Sequence, residues 1–218
     1  MREHHLTVQR TARYFALGPG EGARDIWFVC HGYGQLARYF LRHFATLDNG
    51  SRLIIAPEAL SRFYVEDPGG RHGDARVGAT WMTREDRETE MRDYVAYLDA
   101  LYAHVTAGAT AHPRVTALGF SQGVATVARW VAAGRSAVQR LVLWAEYLPP
   151  DLDLVAAAPT LRTLSLTFVA GDQDSAITPE RNAADETRLR DAGIPYRIVR
   201  FPGGHELHGE TLRTLGAE

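Results

Sequence analysis

Hydrophobic and polar positions along the chain fall into a repeating alternation. Short β-rich runs occur at 25–34 (DIWFVCHGYG), 52–59 (RLIIAPEA), 114–120 (RVTALGF), 140–145 (RLVLWA), 164–171 (LSLTFVAG) and 196–201 (YRIVRF), the first of them a continuous apolar run. An apolar run closed by glycine or another turn residue predicts a strand buried on both faces. Two earlier segments, 6–9 and 12–17, read as a leading antiparallel pair. Between the strands the apolar spacing changes to that of helices. Thr83 opens T-R-E-D, a capping arrangement with acidic residues in the first turn. The stripe that follows, Met91, Tyr94, Val95, Leu98, Leu101, Tyr102 and Val105, keeps close to a 3.6-residue period. The stretch after Ser121 is helical in composition up to Gly134, with small residues Ala125 and Ala128 suited to close packing on a sheet. A third helix is expected from Thr178-Pro179 to Gly193, with a cap, a proline at the first helical position and a terminating glycine. Strand–helix alternation with short connections predicts an α/β fold, a mostly parallel sheet with helices on both faces.

Composition narrows what such a fold is for. The 218 residues suit one domain spanning 1–218, large enough to bury a core without staples. Net charge is -2 and the 24 basic residues are scattered, whereas nucleic-acid binding needs a concentrated basic face, so no nucleic-acid partner is expected. With Cys30 as the one cysteine there is no intrachain disulfide and no multi-thiolate metal site; in a buried strand it reads as inert packing. The opening MREHHLTVQR lacks an apolar h-region, and no window approaches the 18 apolar residues of a membrane span. A soluble, cytoplasmic protein with no stable membrane insertion is expected, and a homodimer is left open.

The candidate chemistry lies where strands end. Strand 114–120 runs into GFSQG, placing Ser121 between Gly119 and Gly123 in a G-x-S-x-G turn that leads into a helix. Such an elbow exposes a serine in a strained turn, and side chains in place of the glycines would clash. The alternative is a serine that merely caps the helix. In elbow enzymes an acid and a histidine follow the serine in that order. Here 164–171 runs into GDQDSAITP, with Asp172 and Asp174, and 196–201 runs into PGGHELH, with His205. All three would reach the carboxyl edge of a parallel sheet, where ligands collect. Attack on an ester carbonyl also needs backbone N–H donors for the oxyanion. The amide of Gln122, just after the serine, supplies one; the HGYGQ loop supplies the other, assigned to Tyr33.

The carriers HGYG, GFSQG, GDQDSAITP and GGHE resemble an α/β-hydrolase of the phospholipase/carboxylesterase group, which includes acyl-protein thioesterases. The resemblance runs from about Asp25 to the C-terminus. It implies an α/β-hydrolase fold with a minimal cap and a Ser121–Asp174–His205 triad, the group's acid being the second Asp of G-D-x-D. It implies a serine carboxylesterase with an acyl-enzyme intermediate and neither metal nor organic cofactor. Three positions depart from the group. Ser175 stands where proline follows the acid, Val169-Ala170 where His-Gly precedes it, and Glu146 where a small residue precedes Tyr-Leu-Pro. Glu146 is thereby a rival acid or a substrate-contacting carboxylate.

A small to medium acyl chain is expected, with Trp81, Met82, Tyr147 and Leu148 as substrate-binding residues. The long connection 58–82 reads either as a pocket wall, through Phe63, Tyr64, Trp81 and Met82, or as a solvated loop. His31 is expected to bond within its turn, and His4, His5, His43, His72, His104 and His112 to be exposed. His208, three residues after His205, lacks a third metal ligand in sequence reach. The alternatives are a thioesterase, lysophospholipase or peptidase using the same three side chains, or a hydrolase-fold protein that binds ligand without turnover.

Overall fold

A computed structural model of the chain describes residues 1–66, 73, 75–110 and 112–218. Seven strands form one sheet in the order β1-β3-β2-β6-β7-β8-β9. They are β1 (Tyr14–Leu17), β2 (Asp25–Cys30), β3 (Arg52–Pro57), β6 (Arg114–Phe120), β7 (Arg140–Trp144), β8 (Ser165–Gly171) and β9 (Arg197–Phe201). All neighbours pair parallel except β1, which runs antiparallel to β3. The unbroken apolar runs behave as their composition dictates, since β2, β3 and β7 are buried at every position.

Alternate residues of the inner strands feed two cores. Ile26, Phe28, Cys30, Val115 and Leu141 face one core, packed under α2 (Arg87–Thr106), α3 (Gln122–Ala133), α4 (Leu154–Leu161) and α5 (Pro179–Asp191). Trp27, Val29, Leu118, Val142 and Trp144 face the other, covered by α1 (Ala37–Phe40), the 3-10 turn Leu41–Leu47 and α6 (Gly209–Ala217). Burying a side chain of this size contributes about 1.5–3 kcal/mol, so the two faces hold the sheet's position firmly. The predicted stripe of α2 is its packed face, with Tyr94, Leu98 and Leu101 buried. No helix among the described residues is long and apolar enough to cross a membrane.

Three expectations are corrected. Residues 6–9 form no strand, and β1 pairs with β3 across the chain rather than with a neighbour. Helix α2 starts at Arg87, not Thr83: Asp86 sits at φ +44°, and the Thr83 hydroxyl accepts the Glu85 N–H, making a turn before the helix. The connection 58–82 contains an antiparallel hairpin, β4 (Ser61–Tyr64) with β5 (Val77–Thr80). Residues 67–72 and 74, including His72, lie outside the described residues.

The strand order reverses at β2. The chain passes from β2 to β3 on one side and returns to β6 on the other. A crevice opens at the carboxyl ends of β2 and β6, the position where open parallel sheets bind ligands.

Candidate active site

Ser121 follows β6 directly and precedes α3, at φ +53° and ψ −121°. A non-glycine residue held at positive φ is strained, and the surroundings must enforce it. They do so from both sides. The Ser121 N–H donates to the Trp144 carbonyl at 2.9 Å, and the Val124 N–H closes on the Ser121 carbonyl at 2.9 Å. The flanking glycines are required by space: a Cβ on Gly119 would lie 2.3 Å from the Gly123 carbonyl oxygen, and one on Gly123 would lie 2.2 Å from that of Cys30. The Ser121 side chain makes no cap bond to α3, so the helix-capping alternative fails.

Asp174 and His205 arrive from the loops that follow β8 and β9. His205 Nδ1 lies 2.9 Å from Asp174 Oδ2. The Asp174 side chain is only 1% exposed and the His205 side chain 40% exposed, so a buried carboxylate holds the back of an accessible ring. The other Asp174 oxygen accepts the Ala176 N–H at 2.9 Å. The two loops are zipped together: the Gln173 N–H reaches the Gly203 carbonyl, and the Gly203 N–H reaches Asp172 Oδ1. Gly171 makes this approach feasible, since a Cβ there would sit 2.3 Å from the Gly203 oxygen. Asp172 therefore ties the loops, while Asp174 pairs with the ring. Glu146, the rival acid, instead accepts the Tyr147 N–H and an Arg181 N–H.

Ser121 and His205 line one cleft of about 330 Å³, together with Gly32, Tyr33 and Phe120. Gly32 lies against the serine: a Cβ there would come within 3.2 Å of Ser121 Cβ. The loop is braced from below. His31 is fully buried, its Nε2 accepts the Ala59 N–H at 3.1 Å, and Nδ1 therefore carries the proton that meets the Gly32 carbonyl at 2.8 Å. Burial pushes the His31 pKa down to about 4, against a smaller opposing effect of that carbonyl, so the ring stays neutral. The Tyr33 N–H has no hydrogen-bond partner among the described residues, while its exposed ring packs on Phe63 of β4 at 5.1 Å. Phe63 was legible only as a possible wall residue of the long connection.

Trp81 takes a different place from the one expected. It is 3% exposed, donates its indole N–H to the His31 carbonyl at 2.9 Å and packs on the His31 ring at 5.1 Å. It supports the loop from the core and lines neither cleft at Ser121. Met82, Tyr147 and Leu148 do line a second cleft, of about 320 Å³, which shares Ser121 with the first. The Gln122 side chain joins that wall to α3: Nε2 donates to Thr80 Oγ1 and the Met82 carbonyl at 2.9 Å each, and Oε1 accepts the Trp81 N–H at 3.1 Å. His208 Nδ1 caps α6 through Thr211, and its ring stacks on Phe201. Cys30 is buried, and desolvation raises its thiol pKa, which leaves it unreactive.

At the level of sequence, no protein-family model and no curated protein matches the chain. Solved structures do match over almost the whole length. Esterase PE8 aligns at a TM-score of 0.67 with 19% identity, over 95% of this chain and 97% of its own. The acyl-protein thioesterase 2 of Zea mays gives 0.67 and 16%, over 95% and 97%. A carboxylesterase from Mesorhizobium loti gives 0.69 and 19%, over 94% and 93%. At such identities the likeness speaks for architecture, and the sheet order, the strained serine turn and these neighbours together give the chain the α/β-hydrolase fold.

Proposed function

We propose that the protein is a serine carboxylesterase, with Ser121 as nucleophile, His205 as general base and then acid, and Asp174 as the group that orients the imidazole. The observation that carries this reading is the Asp174–His205 pair at 2.9 Å, opening onto the same cleft as Ser121 at φ +53°. With Nδ1 turned to the carboxylate, Nε2 is the nitrogen available to take the serine proton. Attack on the ester carbonyl forms a tetrahedral adduct whose oxyanion is held by the amides of Tyr33 and Gln122. His205 returns the proton to the departing alcohol. Water, activated by the same ring, then releases the acid and restores Ser121.

The esterases among the structural neighbours support an ester substrate, and the maize thioesterase supports a thioester as the second reading. Clefts of about 320–330 Å³ that share Ser121 favour small to medium acyl groups. The test is a panel of 4-nitrophenyl esters from two to eight carbons, with matched thioesters. kcat/KM should peak among the short and medium esters and fall by at least about a thousandfold in Ser121→Ala. Equal turnover by Ser121→Ala would contradict this reading.

A further inference from the structure

Two clefts meet at Ser121, and only one of them contains His205. In a tetrahedral adduct the leaving group must lie beside the histidine that protonates it, so the acyl substituent is directed into the other cleft. This inference rests on the reading of Ser121 as the nucleophile. The walls of that second cleft are apolar, through Met82, Tyr147 and Leu148, but its rim is charged.

Arg181, in the first turn of α5, lies on that rim. Its guanidinium stands 4.1 Å from the centroid of the Tyr147 ring, and one Nη2 donates to Glu146 Oε1 at 3.1 Å. Among the described residues its Nε and Nη1 make no hydrogen bond, and the side chain is 55% exposed. Arg129, the other cation of the rim, is already committed to Asp151, which also carries Arg87. Of the charged side chains that line the cleft, Arg129 is thus neutralised from outside it, and Arg181 and Glu146 face each other across its rim. The amino end of α5 abuts the same wall, since the Tyr147 hydroxyl donates to the Thr178 carbonyl at 2.8 Å, and it adds the positive end of a helix dipole.

A planar guanidinium held on an aromatic ring, with its Nε and Nη1 N–H groups unengaged among the described residues, matches a carboxylate. The geometry points to acyl groups ending in a carboxylate, the half-esters of short dicarboxylic acids, as the substrate class. The chain lies along Met82 and Tyr147, and the distal carboxylate meets Arg181. Glu146 fixes Arg181 in place and, by repulsion, limits how far the anion enters. Hydrolysis takes up one water and yields the diacid and the alcohol, with no other reactant.

The test compares kcat/KM for the mono-4-nitrophenyl ester of glutaric acid with that for the 4-nitrophenyl ester of pentanoic acid, which has the same chain length. In Arg181→Gln the glutarate-to-pentanoate ratio should fall roughly tenfold, as expected for losing a charge-assisted contact. In Glu146→Gln it should rise, and in wild type it should fall with added salt. An unchanged ratio in Arg181→Gln, or a wild-type preference for the 4-aminobutanoate ester, overturns the assignment while pentanoate turnover persists. Failure of the wild type on every ester, with no fluorophosphonate adduct, removes the nucleophile reading itself and this inference with it.

Discussion

Two aspartates two residues apart have separate jobs, and the structure divides them by what each touches. Asp174 is buried and pairs with His205, whereas Asp172 accepts a backbone N–H from Gly203. Converting Asp174 to Asn leaves the shape but gives the ring an amide in place of an anion. In Asp174→Asn kcat should drop by roughly a hundredfold to ten-thousandfold, and in Asp172→Asn by less than about tenfold. Steady-state kinetics on the two variants decide the point, and a reversed order would exchange the roles. Position along the chain left both residues open, because each follows the end of the same strand and both suit a turn, and only the family resemblance favoured Asp174. What distinguishes them is a contact 31 residues away in the chain. Trp81 carries the same lesson with a different outcome. A large aromatic near the expected site suggests a pocket wall, yet this one is spent on bracing the His31 carbonyl from beneath.

At the scale of elements, the serine turn works because β6, α3 and the segment that follows β5 are fastened together. Gln122 provides the fastening through three side-chain hydrogen bonds to Thr80, Trp81 and Met82. Its backbone amide is the proposed oxyanion donor, which an alanine retains. Gln122→Ala should therefore cost about 1–3 kcal/mol of stability, at about 1 kcal/mol per bond, and lower Tm by roughly 2–10 °C. Calorimetry on wild type and variant measures this, and an unchanged Tm would show the fastening to be idle. The strands that carry the site were legible because parallel strands buried on both faces read as unbroken apolar runs. Ser121 and Asp174 each follow such a run, whereas His205 follows β9, an edge strand exposed at Arg197, Ile198 and Arg200 that does not share the two-sided burial expected of the series. The ends and edges were less so. The cap signal at Thr83 belongs to a turn, because Asp86 leaves the helical region before α2 begins. The partner of β1 is β3, a pairing that no local pattern encodes. The Glu146–Arg181 contact likewise joins residues 35 apart.

Over the whole molecule, the two edges of the sheet are specialised. At the amino edge, Asp25 holds Arg52 and Arg114, and Arg52 and Arg140 bind the carbonyls of Gly216 and Leu215 at the end of α6. All 24 basic residues are arginines, whose fork geometry suits such multiple contacts. The carboxyl edge keeps the polar chemistry, above a loop braced by a neutral, buried His31. That burial has a consequence for stability. The unfolded chain protonates this histidine near its ordinary value of 6.5, the folded one only near 4. Between these values the unfolded state binds more protons, so stability must fall as pH drops from 6.5 towards 4, by about 3 kcal/mol from this group. Urea midpoints across that range should rise with pH and level off above 6.5; a flat profile would mean that His31 charges freely in the fold. Activation of Ser121 is read by intact mass after incubation with a fluorophosphonate, on wild type and Ser121→Ala in parallel. An activated serine gives one adduct on wild type and none on the variant. No adduct on either protein, or an equal adduct on both, would contradict it.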